Sequence, residues 1–247
     1  MFIMNLIHLF LRSLCFGCLN LRERKEMMKN KRTIILTSVM CMLPEILSVI
    51  LYKRLPEQIA VHWNSAGEVD GYFPKALAAF GMPVLFLLLN LYSNIRLLYD
   101  PRREGHSKVL RAISIWTVPL TSLILVPATL FIALGAQIPI SALSSSVVGI
   151  LLIVTGNYLP KSRRNYVMGV RLPWTFHDPD NWNKTNRMAG HIMVAGGVII
   201  LLSGYLQQIA VLYGVSIIVV ITALIIVIPF FYSFALYKKE KDKNPLT

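Results

Sequence analysis

The chain has 247 residues, of which 55% are hydrophobic and 15% are charged, and its mean hydropathy is +0.58. These values exclude an ordinary soluble domain and indicate an integral membrane protein, because several apolar runs approach the roughly 20 residues that span a bilayer. The formal net charge of +13 does not indicate a nucleic-acid partner, since the basic residues fall between the apolar runs. We expect no direct nucleic-acid binding and no cofactor.

Residues 1–27 form an N-terminal extension with two interpretations. One is an interfacial amphipathic helix, in which Arg12 and the basic segment Arg22–Arg32 lie at anionic lipid headgroups. The other is a misplaced start, because purine-rich codons for Arg22–Glu26 would resemble a bacterial ribosome-binding site before Met27 and Met28. We favour the second interpretation. The Cys15 and Cys18 pair has no second pair to complete a zinc site.

Hydropathy along the rest of the chain predicts an all-α integral membrane protein, a bundle of about six transmembrane helices. The domain organisation follows from this: residues 28–108 hold the first helix pair and an outer loop, and residues 109–247 hold a four-helix region with a long cytoplasmic loop. The predicted spans are Thr33–Tyr52, Ala76–Tyr99, Val109–Leu134, Ile140–Tyr158, His191–Leu206 and Val211–Tyr237.

Lysine and arginine predict the orientation of these spans, because cytoplasmic loops carry an excess of both residues. The alternate intervals on the other side contain only Lys53, Arg54 and Lys75. Both termini and the long loop are therefore expected in the cytoplasm of a bacterial cell, with the Lys53–Lys75 loop outside. The basic intervals are Arg22–Arg32, Arg102–Arg111, Lys161–Arg187 and Lys238–Lys243.

The outer loop, LPEQIAVHWNSAGEVDGYFPK from Leu55 to Lys75, has dense turn chemistry. Ile59 begins an apolar–polar alternation that predicts a short strand and a small structured cap. His62, Glu68 and Asp70 would offer metal ligands, but one histidine with two carboxylates at irregular spacing is weak evidence. We therefore expect these groups to make hydrogen bonds in the turns and expect no metal.

Glu45 is a carboxylate near the centre of the first span, where a charge is costly and usually faces the bundle interior or a wet cavity. It follows Pro44, which frees a backbone carbonyl one turn earlier. A functional interpretation is a site for a proton, a cation or the positive charge of a peptide. The alternative is a protonated or hydrogen-bonded contact between helices.

The long cytoplasmic stretch, NYVMGVRLPWTFHDPDNWNKTNRMAG from Asn165 to Gly190, is the longest polar interval of the chain. Asp178 and Pro179 have the pattern of a helix cap and first helical residue. That helix would place Trp182 on the same side as Asn186 and Ala189. Tryptophan and arginine at a membrane boundary serve either as anchors or as recognition residues, and both interpretations remain open for Trp174 and Trp182.

The combination of these motifs resembles the SdpI-like membrane proteins, the immunity proteins against a secreted sporulation-delaying toxin. The family pattern is approximately GN…N…GIRTPWTL…W…THR…G, and GNYLPKSRRNYVMGVRLPWTF…NWNKTNRMAG is similar to it. The outer loop likewise resembles a short domain of unknown function that commonly precedes the family signature. The resemblance covers the chain from Met28 to the last span.

The resemblance implies recognition residues in both loops, and this chain departs from the family pattern at three positions. Leu172 stands where threonine is usual, Asn186 where histidine is usual, and Ala60 where proline is common. The matched residues of the outer loop include Pro56, His62, Asn64, Gly67, Asp70 and Lys75. The matched residues of the cytoplasmic side are Asn157, Asn165, Gly169, Arg171, Pro173, Trp174, Thr175, Trp182, Thr185, Arg187 and Gly190.

The function that the resemblance implies is protection of a bacterium's own membrane against a secreted toxic peptide, with the cytoplasmic loop signalling to a transcriptional repressor. The implied partners are the lipid bilayer, the toxic peptide and that repressor. A housekeeping membrane protein without a toxin is an alternative.

Two further alternatives come from other functional classes. A secondary transporter or channel would use Glu45, Asn90 and Asn157 along a pathway, but no inverted repeat is evident. A membrane enzyme would use His177, Asp178, Asp180 and His191, but no hydrolase or metalloprotease signature accompanies them. We therefore expect a protein that is not an enzyme.

A chain that begins at Met28 is expected to insert into the membrane and to function, because residues 1–27 lie outside the family resemblance and before the first predicted span. The test is the amount of the shortened chain in washed bacterial membranes beside the full chain. Loss of the shortened chain from the membrane fraction would show that the extension is needed.

Overall fold

The computed structural model describes residues 21–64, 68–98, 100, 102, 105–206 and 211–243. Residues 1–20 of the predicted extension, and Gly67 of the outer loop, lie outside the described residues. Within these ranges six helices are long and apolar enough to cross a membrane, which confirms the predicted all-α membrane protein. The helices are α1 (Leu21–Leu51), α2 (Met82–Leu98), α3 (Lys108–Ala133), α4 (Ile140–Tyr158), the short α5 (Pro173–His177), α6 (Pro179–Leu206) and α7 (Val211–Lys243).

Two helices extend beyond the spans that were predicted for them. The first helix begins at Leu21 rather than near Thr33, because the polar segment before the apolar run continues the same helix. The predicted helix start at Pro179 is confirmed, but that helix runs without a break into the span predicted from His191. The loop that was predicted to be cytoplasmic is therefore shorter than expected and ends at Asp178.

The long helices form two groups of three. In the first group, α1, α2 and α3 pack against one another, and in the second group α6 lies between α4 and α7. The contact of α4 with α6 is the most extensive in the described structure, whereas α3 and α4, which join the two groups, touch only lightly.

Apolar side chains on these helices face outward, as expected where lipid is the solvent. The side chains of Ile50, Ile226 and Phe231 are each more than 60% exposed. Polar side chains lie inside instead and join the helices: Asn90 Nδ2 on α2 donates to Thr37 Oγ1 on α1 at 3.1 Å. Such bonds between helices replace the hydrophobic force that water would supply to a soluble bundle.

A seam of small residues brings α4 and α6 into backbone contact. A Cβ atom on Gly156 would lie 2.6 Å from the carbonyl oxygen of Gly190, and one on Gly149 would lie 2.7 Å from that of Gly197. Small residues allow helix backbones to approach closely in membranes, where packing is the main attraction. The seam repeats at Ala142, Gly149 and Gly156 on α4 and at Gly204, Gly197 and Gly190 on α6.

An antiparallel hairpin of β1 (Gln58–Trp63) and β2 (Val69–Pro74) forms the outer loop, which confirms the predicted short strand. Ile59 is fully buried and belongs to a cluster with Val126 and Leu130 of α3. Gly71 pairs with His62, and a Cβ at Gly71 would approach the His62 Cβ to 2.8 Å. The hairpin thus rests on the end of α3 opposite to the inner loop described below.

Gly197→Val is expected to destabilise the protein by about 1–3 kcal/mol, because the new side chain would overlap the Gly149 carbonyl across the seam. The measurement is the midpoint of thermal unfolding in detergent, followed by circular dichroism. Ala195→Val is the matched control, since Ala195 is exposed on the same helix. Equal midpoints for the two variants would contradict a close-packed seam.

Candidate functional site

The candidate site is built on the segment of residues 159–178 between α4 and α6, which we call the inner loop. Its central residue is Asn165, whose side chain is fully buried. Asn165 Nδ2 donates to Ser162 Oγ at 3.0 Å and to the Arg163 carbonyl at 2.8 Å. Asn165 Oδ1 accepts the N–H groups of Val167 at 3.0 Å and Met168 at 2.6 Å. One side chain therefore pairs the backbone groups that the loop would otherwise leave unsatisfied.

A second asparagine, Asn186 of α6, holds the next part of the loop. Its Oδ1 accepts the Val170 N–H at 2.8 Å, and its Nδ2 donates to the Trp182 carbonyl at 2.9 Å. Gly169 has a φ of +110°, and a Cβ there would lie 2.7 Å from Asn186 Oδ1. Glycine is required at this position by both the backbone conformation and the close approach.

Thr175 closes the turn that leads into α5. Its hydroxyl accepts the Leu172 N–H at 2.9 Å and lies 2.8 Å and 3.1 Å from the carbonyl oxygens of Leu172 and Val170. Pro173 occupies the first helical position, where its missing N–H costs nothing. The Leu172-Pro173-Trp174-Thr175 sequence is therefore a self-bonded turn.

Trp182 is the largest fully buried side chain and lies beneath the inner loop. Its Nε1 donates to the Ser162 carbonyl at 2.9 Å, and its ring meets the Phe176 ring edge-on at 5.7 Å. The side chain is inside the protein, so Trp182 supports the loop and does not anchor the membrane surface.

Trp174 joins the inner loop to α7. Its Nε1 donates to Ser233 Oγ at 2.8 Å, and its ring packs against those of Phe230, Phe234 and Tyr237 at centroid distances of 5.8, 5.6 and 5.6 Å. The half-buried Trp174 therefore contacts the last helix and leaves little of its polar edge for a partner.

Buried polar side chains continue this contact between α6 and α7. Asn181 Nδ2 donates to the Ser233 carbonyl at 3.0 Å, and Ser233 Oγ donates to Asn181 Oδ1 at 2.8 Å. Thr185 Oγ1 donates to the same Asn181 oxygen at 2.9 Å. Thr185 is thus a structural residue of the α6–α7 contact.

Asp100, in the link between α2 and α3, bonds the first helix group to the inner loop. Its fully buried carboxylate accepts the N–H groups of Arg102 at 2.8 Å and Tyr166 at 3.0 Å, and lies 2.6 Å from His106 Nε2. The Gly105 carbonyl also accepts the Arg163 N–H at 2.9 Å. The loop is consequently tied to both groups of helices.

Arg171 and Arg187 expose their charges on the inner side. Arg171 is held by a hydrogen bond from its Nη1 to the Tyr166 carbonyl, and Arg187 is exposed on α6. Arg102 lies over the rings of Tyr166 and Phe176, with its Cζ 5.2 and 5.5 Å from their centroids. Arg171 is thus held by a hydrogen bond and Arg102 by two aromatic rings, and both residues are exposed.

The structure divides the predicted cytoplasmic residues into two classes. The side chains that hold the loop together are buried, and others are exposed beside them. The buried or supporting residues are Asn165, Gly169, Thr175, Trp182, Thr185, Gly190 and the half-buried Trp174, and the exposed residues are Asn157, Arg171, Pro173 and Arg187.

The predicted outer residues make separate local contacts. His62 Nδ1 lies 2.5 Å from Asp70 Oδ1, whereas Asn64 bonds to Glu68 through both its backbone and its side chain. Lys75 Nζ lies 3.1 Å from Glu57 Oε1, and Pro56 is exposed. His62 and Glu68 therefore have different partners in the described part of the hairpin.

Glu45 is half-buried in α1, and its Oε2 is buried without a hydrogen bond in the described structure. The other two residues of the transporter hypothesis lie in different surroundings: Asn90 is bonded between α1 and α2, and Asn157 is exposed on α4. The structure does not bring these three side chains together.

Three of the four enzyme candidates have local structural partners. His177 Nδ1 lies 2.7 Å from the Pro173 carbonyl, and Asp178 Oδ1 accepts the Asp180 N–H at 2.7 Å as the cap of α6. Asp180 pairs with Lys184 at 2.6 Å, one turn along the helix. His191 is exposed on the same helix, further from the loop.

The structural roles of Asp100, Asn181 and Ser233 were not predicted from the sequence. Asp100 precedes the basic interval Arg102–Arg111, which also contains Glu104, so the sequence does not distinguish it as a buried residue. The glycine seam was detectable, because glycines recur at a spacing of seven in both helices. Nothing in the local sequence connects Asn181 with Ser233, which lie 52 residues apart.

Comparison with known proteins gives two family matches and one relative. Residues 161–233 match the model of the SdpI/YfhL protein family, and residues 39–87 match that of a domain of unknown function (DUF1648). The chain is 31% identical over 210 residues to the immunity protein SdpI of Bacillus subtilis (strain 168), a similarity that covers 85% of this chain and 97% of that protein. No solved structure matches.

Asn165→Ala is expected to loosen the inner loop, because the N–H groups of Val167 and Met168 lose their buried acceptor at a cost of about 1–3 kcal/mol. The measurement is the rate of trypsin cleavage after Arg164 and Arg171, expected to rise about tenfold. Asn183→Ala on the exposed side of α6 is the control. Cleavage at the same rate in both variants would contradict the structural role of Asn165.

Proposed function

Since the chain belongs to the SdpI/YfhL protein family, we propose that this multi-pass bacterial membrane protein is an immunity protein that protects its membrane against a secreted toxic peptide. The observation that carries the proposal is the similarity to an immunity protein along nearly the whole of both chains. The role is one of binding, without a catalysed reaction. Physical features at the two ends of the helix bundle support it.

The outer hairpin offers a surface for an apolar, cationic peptide. On β2, the rings of Tyr72 and Phe73 are 55% and 43% exposed, and both residues lie outside the candidate membrane spans. The exposed carboxylates of Glu68 and Asp70 lie on the same part of the hairpin. Aromatic surface beside negative charge is complementary to a peptide with apolar and basic residues.

Helix α3 gives a physical connection between the outer hairpin and the inner loop. Its Val126 and Leu130 pack against Ile59 of the hairpin, and its Leu110 packs in a cluster with Leu159 and Met168 of the inner loop. A ligand shifts such a connection only by its different affinity for the two arrangements. A peptide that moves the hairpin on α3 would therefore alter the packing beneath the inner loop.

We further propose that the inner loop signals this change to a cytoplasmic repressor. Arg171 and Arg187 are exposed, while the polar groups around them are used within the protein. Arginine is enriched among residues that dominate protein interfaces, because its planar charge pairs with carboxylates at low entropic cost. The expected contact on the partner is therefore acidic.

A sensitive bacterium that expresses this chain is expected to survive a sporulation-delaying-type peptide but not unrelated membrane-active peptides. Tyr72→Ala is expected to lower the highest peptide concentration that the cells survive about tenfold, because an exposed aromatic contact with the peptide is lost. Tyr92→Ala is the matched control, since Tyr92 is 63% exposed on the lipid side of α2. The measurement is survival at equal abundance of each variant in the membrane.

The same survival assay tests the inner loop. Arg171→Ala is expected to reduce survival, because the inner loop loses an exposed charge of the family motif. Arg163→Ala is the matched control and is expected to leave survival unchanged, since Arg163 is an exposed arginine of the same loop outside that motif. Survival no better than that of cells without the chain would overturn the immunity proposal. Equal loss in the Tyr72→Ala and Tyr92→Ala variants would overturn the role of the hairpin.

A further inference from the structure

A cavity of about 330 Å³ lies under the inner loop, between α3, α4, α6 and α7. Ligand pockets in proteins have volumes of roughly 300–1,000 Å³, so this space is large enough for part of a ligand. The loop covers it with four consecutive residues, 167–170, which Asn165 and Asn186 hold in place from the other side.

The cavity results from the way in which the two helix groups meet. The glycine seam pulls α4 onto α6, and the first group holds α3 against α1 and α2. Because α3 and α4 touch only lightly, space remains between the groups, lined by Leu110 and Ile113 on one side and Ala189 and Met193 on the other.

The lining is suited to a flexible aliphatic chain. None of its side chains is charged or aromatic, and Met168 and Met193 have thioethers that adapt to different shapes. Ser114 and Thr155, whose side chains carry hydroxyl groups, also line the cavity. Their hydroxyl groups are potential hydrogen-bond donors to the ester carbonyl of a lipid.

Basic residues adjoin the lining on three different elements. Arg111 follows Leu110 on α3, Lys161 lies two residues after Leu159, and Arg171 follows Val170 of the inner loop. The ammonium and guanidinium groups of such residues at a membrane boundary favour anionic lipid headgroups. Arg111 Nη2 also donates to Asn30 Oδ1 at 3.3 Å, and Lys161 Nζ lies 4.4 Å from the centroid of the Tyr158 ring. The position of these basic residues next to lining residues in the chain favours an anionic lipid as the occupant.

We propose that the cavity binds an acyl chain of an anionic phospholipid, whose headgroup lies at the basic residues Arg111, Lys161 and Arg171. The bound chain fills the space between the two helix groups and supports residues 167–170 from below. Arg171 is also the residue proposed above to contact the repressor, but the labelling test below measures lipid alone and its result does not depend on the immunity function.

The test uses the full chain in nanodiscs that contain phosphatidylglycerol or phosphatidylcholine with a diazirine on the acyl chain. After irradiation, mass spectrometry measures the label on Met168 and Met193, relative to the label on the exposed Phe231 of α7. We expect phosphatidylglycerol to label the two methionines at least about fivefold more than phosphatidylcholine does.

Ser114→Leu is expected to fill the cavity and to lower the methionine label about fivefold while the Phe231 label stays unchanged. Ser144→Leu, at an exposed position of α4 outside the cavity, is the matched control and is expected to change neither label. The comparison of the two lipids uses the unaltered chain, so it remains decisive if Ser114→Leu does not fold.

Three outcomes would overturn the lipid site. One is a methionine label no stronger than background from either lipid, and another is an equal label from the two lipids. The third is a label that arises only from an added apolar peptide carrying a diazirine, which would assign the cavity to the peptide instead.

Discussion

The backbone contact between α4 and α6 is the constraint on which the inner half of this protein depends. Gly149 and Gly156 meet Gly197 and Gly190 so closely that no Cβ fits between them. In a bilayer, where apolar side chains gain nothing by leaving lipid, such contact is what holds two helices together. It places the end of α4 beside the start of α6, and the inner loop has to close the distance between them.

The inner loop has an irregular backbone, and a few polar side chains make the hydrogen bonds that this backbone needs. Asn165, Thr175 and Asn186 pair the N–H and carbonyl groups that a helix would have paired internally. Asp100 adds a bond from the first helix group. A motif that looks like a recognition sequence is thus mostly a folding device, and it leaves cationic residues such as Arg171 and Arg187 exposed.

The two helix groups give the protein a way to connect its two faces. Helix α3 carries the outer hairpin at one end and touches the inner loop at the other, while its light contact with α4 leaves a cavity beneath that loop. A contact of this kind moves more easily than the close-packed seam, because few atoms resist the displacement. This light contact leaves the cavity proposed to hold a lipid chain, and it is the place where the proposed signal would pass between the two helix groups.

The sequence by itself determined the membrane class, the six spans, the outer strand and the helix start at Pro179, since each depends on hydropathy or on neighbouring residues. It did not separate the residues that hold the inner loop from those that it exposes. Trp182 and Arg171 were both predicted to be recognition residues. In the structure Trp182 is buried under the loop, whereas Arg171 is exposed. Only the tertiary structure decided this, because burial and the Asn181–Ser233 bond depend on contacts between segments far apart in the chain.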